Sequence, residues 1–153
     1  MPTFERGQMW NAYYKSDAFC ITTNSYIRND GNLVMGRGIA RTARDVIDGI
    51  DKKFGNRIRN RCGHLGTYGL LPADPKSSRM VAFQVKTHFK NSADTDLIQQ
   101  SAEKLRTVAI QNSNRRFDLN YPGIGAGRLN LKKVKPIVSE LPKNVHVWRF
   151  SKE

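Results

Sequence analysis

Hydrophobic positions along this chain fall into two recurring patterns. Residues 18–23 (AFCITT) form a short apolar and β-branched run, as expected of a strand buried on both faces. Ala43, Val46, Ile47, Ile50 and Phe54 then recur at helical spacing and predict an amphipathic helix over residues 41–60. Residues 81–85 (VAFQV) predict a second buried strand. Ile98, Ala102, Leu105 and Ala109 follow a period of about 3.6 and predict a helix over 95–110, capped by Asp94 or Thr95. Residues 117–121 form a short strand that stops at Pro122. Leu131, Val134, Ile137, Val138 and Leu141 mark a further helix, in which Pro136 should bend the helix or mark its true start. Residues 145–150 (VHVWRF) close the pattern as a strand. The stretch 63–78 is rich in Gly, Pro and Ser and predicts turns around one short strand at 68–71. Helix-length segments between strands predict an α/β fold with a largely parallel sheet.

The chain has 153 residues, which fits a single domain over residues 1–153. No run approaches the roughly 20 apolar residues of a membrane span, so no membrane partner is expected. Residues 1–16 mix charged, polar and aromatic side chains and lack the apolar centre of a signal peptide. Cys20 and Cys62 are far apart and have no C-x-x-C partner, so both are expected as free thiols in a reducing compartment, the cytoplasm. These cysteines and the three histidines have no zinc spacing, and no metal is expected.

Charge narrows the ligand class. There are 26 Lys and Arg against 13 Asp and Glu, a formal net charge of +13. Such a chain attracts polyanions. Nucleic acid is one candidate, and a pyrophosphate ligand or a modified nucleic acid is another. The basic residues are scattered, and no RGG run, zinc-finger spacing or RNA-recognition signature is present. A monomer is the default for so small and charged a domain.

Two glycine-rich loops carry the candidate chemistry. The first, residues 34–40, contains Gly36-Arg37-Gly38-Ile39-Ala40 and opens into the first helix. The second, residues 122–128, reads Pro122-Gly123-Ile124-Gly125-Ala126-Gly127-Arg128 and lies between a strand and a helix. Backbone amides at glycine turns, backed by a helix N-terminus, cradle anions. Both loops fall at predicted carboxyl ends of parallel strands, where open α/β sheets bind ligands. Neither matches the G-x-G-x-x-G or G-x-x-x-x-G-K-[ST] patterns.

The same residues resemble a known family. Thr23-Asn24 followed by Met35-Gly36-Arg37-Gly38-Ile39-Ala40 is similar to the asparagine and M-G-x-G-I-A loop of macro domains. Phe83-Gln84-Val85-Lys86-Thr87-His88-Phe89-Lys90 is similar to an F-P-T-K-x-H-W-[RK] segment, and Asp96-Leu97-Ile98 follows at the right distance. Pro122-Gly123-Ile124-Gly125-Ala126-Gly127 is similar to the family's P-x-[IL]-G-[CA]-G phosphate loop, and the final strand with Trp148 also fits. The match is to the branch containing the terminal ADP-ribose glycohydrolases and the antitoxins that oppose DNA ADP-ribosylating toxins. It covers about residues 5–150.

The resemblance implies a three-layer α/β/α fold around a mixed, mostly parallel sheet. It implies binding of ADP-ribose as ligand rather than cofactor, free or on a macromolecule. It implies hydrolysis or processing of ADP-ribosyl groups or of ADP-ribose-1″-phosphate. A non-catalytic reader or sequestering module is the alternative, and a basic nucleic-acid-binding protein is another. By position, Gly36 to Ala40, Pro122 to Gly127 and Arg128 would hold the diphosphate and distal ribose. Asn24 would hydrogen-bond that ribose, and Lys86 would attack its C1″ carbon as an amine. Gln8 and Met9 would lie at the adenine end.

The chain departs from the family at two points. Gln8 stands where the family has an adenine-reading aspartate, so it brings an amide and no charge. The second loop has no acidic residue, and no carboxylate occurs between Asp118 and Glu140. Asp30, in the turn Asn29-Asp30-Gly31-Asn32, is the candidate replacement acid.

Overall fold

Strand β2 (Ala18–Thr23) sends Phe19 and Ile21 to one face of a sheet and Cys20 to the other. Its parallel neighbour β4 (Met80–Gln84) does the same, with Met80 and Ala82 on the first face and Val81 and Phe83 on the second. Strands covered on both faces have no solvent side, which is why they read as unbroken apolar runs. The computed structural model describes residues 1–76 and 79–150 of the chain. Within it six strands form one sheet in the order β1-β6-β5-β2-β4-β3. The pairs β1 (Thr3–Arg6) with β6 (Val145–Arg149), β6 with β5 (Phe117–Asn120), and β5 with β2 are parallel. Only β3 (Leu70–Pro72) pairs antiparallel, on β4. Pro72 is tolerated there because β3 is an edge.

Helices cover both faces. Helix α1 (Gly38–Val46), helix α2 (Ile50–Arg61) and a 3-10 turn at Met9–Lys15 pack on the face of Phe19 and Ile21. Helix α3 (Thr95–Gln111) and helix α4 (Leu131–Val138) pack on the face of Cys20 and Phe83. The architecture is therefore the three-layer α/β/α arrangement expected. None of these helices is long and apolar enough to cross a membrane.

Several boundaries differ from expectation. The helix expected over 41–60 is two helices. Gly49, with φ of 76°, takes the left-handed conformation that breaks them, and Val46 is left exposed rather than in the core. Strand β1 was not legible in sequence. It is an edge strand of four residues with two charges, and pairing with β6 makes it a strand. The cap of α3 is Asp94, whose carboxylate accepts from the amides of Asp96 and Leu97. Pro136 lies inside α4 rather than at its start, and the helix ends two residues later. Of the turn region expected over 63–78, Ser77 and Ser78 lie outside the described residues. Cys20 is buried and Cys62 exposed, and both are unpaired.

Helix α2 also fixes the turn that precedes the first glycine loop. Gly55 is buried, and a Cβ placed on it would lie 2.0 Å from the carbonyl oxygen of Gly31. The obstacle is backbone on both sides, so neither can yield cheaply. Gly55→Ala should therefore destabilise the fold by about 2 kcal/mol or more, the scale of core overpacking. Urea denaturation checks this, and a midpoint equal to the parent's would show that the contact is unimportant.

Candidate functional site

Three strands end together. The carboxyl ends of β2, β4 and β5 and the loops that follow enclose a cleft of about 500 Å3. Thr22, Thr23 and Asn24 come from β2 and its exit. Val34 to Arg37 and Ala40 come from the first glycine loop and the start of α1. Val85, Lys86, Phe89 and Lys90 follow β4, and Gly123, Ile124 and Ala126 to Arg128 follow β5.

Glycine is required in both loops for different reasons. Gly38 has φ of 57° and faces open space, so the need is conformational. Gly123 has φ of 80°, and a Cβ there would lie 2.7 Å from Ile98 Cδ1 and 2.9 Å from Leu129 Cδ1. Its loop folds tightly on itself. The Leu129 amide donates to the Gly123 carbonyl, the Arg128 amide to the Gly125 carbonyl, and the Ala93 amide to the Gly127 carbonyl. These bonds engage the loop's carbonyls. Among the described residues the amides of Gly36, Arg37 and Ile124 donate to no protein acceptor. All three residues line the cleft.

The neutral polar side chains of the wall are committed to the fold. Asn24 is buried; its Nδ2 donates to the Val34 carbonyl at 2.9 Å and its Oδ1 accepts from the Tyr26 amide at 2.8 Å. It holds the exit of β2 against the first loop, and one N–H remains for a ligand. Thr22 accepts from Asn120 Nδ2, and Thr23 bonds to the buried Tyr68 hydroxyl and to the Phe83 carbonyl. Gln84, the last residue of β4, is fully buried. Its Oε1 accepts from the amides of Tyr68 and Gly69, and its Nε2 donates to the carbonyls of Gly66 and Lys86. That places Lys86 at the end of the strand with a fixed backbone.

Cations complete the wall. Lys86 Nζ donates to the carbonyls of Phe89 and Asn91, each at 3.1 Å. Arg128 Nη2 donates to the Lys90 carbonyl at 2.7 Å. Two cations of the cleft thus bind three successive carbonyls of one loop. Burial lowers the Lys86 amine below the ordinary lysine range, and the positive charges of Arg128 and Arg37 lower it further. No carboxylate lines the cleft among the described residues. Asp118 on β5 is fully buried and paired with Arg116, and it accepts from Trp148 Nε1. Asp30 is exposed, pairs with Arg28 at 3.4 Å, and lies outside the cleft.

The predicted residues are therefore only partly gathered. Asn24, Gly36, Arg37, Ala40, Lys86, Gly123, Ile124, Ala126, Gly127 and Arg128 line the cleft. Gly38, Ile39, Pro122 and Gly125 belong to the same loops without lining it, and Ile39 and Pro122 are buried. Met9 is fully buried in the core between the sheet and α1 and α2 and does not line the cleft. Gln8 is exposed, just before the 3-10 turn, and does not line the cleft. Trp10 packs on Tyr13 and Phe19 within that core. Phe89 and Lys90 were not singled out from sequence although both line the cleft. The run Lys86-Thr87-His88-Phe89-Lys90 held the signal, since a loop that leaves a buried strand beside two glycine loops must border the same opening. Among the described residues no group of His, Cys, Asp and Glu is placed to hold a metal ion.

This sheet order with two glycine loops at its carboxyl ends defines a class, and comparison with solved structures places the chain in it: it has the macrodomain fold. The macrodomain of Thermus aquaticus DarG is similar at 21% identity and a TM-score of 0.71, over 99% of both chains. The macrodomain of Mycobacterium tuberculosis DarG is similar at 19% identity and a TM-score of 0.73, also over 99% of both. Thermosipho africanus DarTG, solved in complex with ADP-ribose, matches at 16% identity and a TM-score of 0.72, over 97% of this chain and 42% of that one. No family model and no curated protein matches the sequence.

The cation cluster makes a direct prediction. Removing the Arg128 charge relieves one of the two repulsions on Lys86. In Arg128→Ala the Lys86 amine should therefore titrate at higher pH than in the parent, measured by NMR or by acylation rate against pH. An unchanged or lower midpoint would remove Arg128 from the account.

Proposed function

We propose that this chain binds ADP-ribose, or the ADP-ribosyl group of a modified macromolecule, in the cleft between its two glycine loops. The observation that carries this reading is the wall itself: among the described residues, four cations, unpartnered backbone amides and no carboxylate surround about 500 Å3. That is a site for a diphosphate joined to neutral sugar. The likeness to macrodomains, among them one solved with ADP-ribose, supports the same ligand. The net charge of +13 favours a polyanionic carrier such as nucleic acid for the modified group.

A second reading, hydrolysis through Lys86, rests on one observation: a lysine amine lines the cleft and is lowered by burial and by two arginines. The neutral amine would form a bond to C1″ as the acceptor group leaves with the bonding pair and the displaced proton. Water would then release the ribose and restore the amine. Two features weigh against efficient turnover. The amine is held by two carbonyls, and among the described residues no carboxylate lines the wall to relay the proton. Binding is therefore the primary reading.

Calorimetry with ADP-ribose tests it. Saturable binding is expected, weakening as salt rises because phosphate contacts are screened. Arg37→Glu should weaken it by on the order of tenfold, since a charge beside the phosphates is reversed. No heat at millimolar ADP-ribose would end the proposal. Any release of ADP-ribose from a modified substrate should vanish in Lys86→Ala, and equal release by parent and variant would exclude Lys86 as nucleophile.

A further inference from the structure

We propose that Gln84 is the positioning residue of the cleft: a fully buried amide that holds Lys86 and the first glycine loop at a fixed separation. This rests on the binding function proposed above and names the group that shapes the site for it.

A primary amide offers two donor and two acceptor positions. At Gln84 all four are filled, and each partner is backbone. Oε1 accepts from the amides of Tyr68 at 2.8 Å and Gly69 at 3.0 Å. Nε2 donates to the carbonyls of Gly66 at 2.9 Å and Lys86 at 3.2 Å. The reverse orientation of the amide would set donor against donor and acceptor against acceptor, so the network admits only one. The residue is fully buried at the end of β4, and its own backbone is pinned as well. Its N–H donates to the Gly69 carbonyl and its carbonyl accepts from Ser101 Oγ, both at 2.7 Å. Proline stands at this position in the F-P-T-K segment that the stretch resembles, and it could make neither the side-chain bonds nor the N–H bond.

Two arms lead from this amide to the cleft. The short arm is the bond to the Lys86 carbonyl. It fixes the backbone from which the Lys86 side chain reaches the carbonyls of Phe89 and Asn91. The long arm runs through residues 66–69. Tyr68 is buried with its amide held by Gln84, and its hydroxyl donates to the Asn24 carbonyl at 2.8 Å. Asn24 in turn donates to the Val34 carbonyl, at the start of the first loop. Gln84 is therefore joined by hydrogen bonds to the β4 side of the cleft and to the β2 side. Bonds in such low-dielectric surroundings are strong, and unmade ones are costly. While the amide is in place, neither side moves without the other.

Three variants separate the arms. Gln84→Met nearly keeps the side-chain volume and removes all four bonds. Tyr68→Phe removes only the hydroxyl, so the long arm is cut and the short one stays. Ser101→Ala removes a bond to the Gln84 carbonyl and leaves the amide in place. ADP-ribose affinity is read by calorimetry and the Lys86 amine by NMR titration. Burial is the first cause of the lowering of that amine, so an amine that loses its place titrates nearer the ordinary lysine range. Gln84→Met should weaken ADP-ribose binding by roughly tenfold, the scale of losing an orienting partner, and raise the Lys86 midpoint. Tyr68→Phe should weaken binding and leave that midpoint unchanged. Ser101→Ala should lose stability in urea yet bind within about twofold of the parent, as an independent site would. Parent-like affinity in folded Gln84→Met or in Tyr68→Phe would overturn the proposal, as would a loss in Ser101→Ala equal to that in Gln84→Met. If Gln84→Met does not fold, Tyr68→Phe against Ser101→Ala decides alone. Should the parent itself bind no ADP-ribose, the binding function fails. The Lys86 midpoint needs no ligand and still judges Gln84, and an unmoved midpoint in Gln84→Met would overturn its role.

Discussion

The cleft depends on one constraint: β2 lies buried between β4 and β5, and all three strands run the same way. Parallel pairing brings their carboxyl ends to one edge of the sheet. Burial on both faces leaves the chain no lateral exit, so each strand must end in a loop at that edge. The backbone groups released there need partners. Asn24 supplies some of them after β2, Gln84 after β4, and Asn120 bridges β5 to Thr22. With the side chains so engaged, the loop amides are left for a ligand.

Electrostatics then selects that ligand. Four cations share a small opening that no carboxylate lines among the described residues. Burial, and then the positive charges of Arg128 and Arg37, lower the Lys86 amine in that opening. The bonds from Lys86 and Arg128 to the carbonyls of residues 89–91 are the fold's own partial remedy. A diphosphate would offer those cations stronger, charge-assisted partners.

Much of this was readable in the chain. The apolar runs of β2 and β4 announced buried strands because strands with no solvent side have no polar alternation to lose. The loops announced themselves because glycine stands where side chains would collide, as at Gly123, or where φ is positive, as at Gly38. The resemblance of Thr23-Asn24, Met35 to Ala40 and Pro122 to Gly127 to macro domains led to the observed fold. Less was readable where a residue's role depends on partners distant in sequence. Met9 and Gln8 are adjacent in the chain, yet one is fully buried and the other exposed. The helix expected over 41–60 broke because a single left-handed glycine outweighs apolar spacing that happens to continue across it.

The sequence by itself determined the layers of this protein, the two glycine loops and the excess of positive charge. These follow from local periodicity, local backbone freedom and composition. Only the tertiary structure decided that Lys86, Arg128 and Arg37 share one opening, that Asp118 is withdrawn into a pair with Arg116, and that Asp30 stands outside. The physical reason is that charge acts through distance in space. Residues 86 and 128 become neighbours only when β4 and β5 are laid on either side of β2.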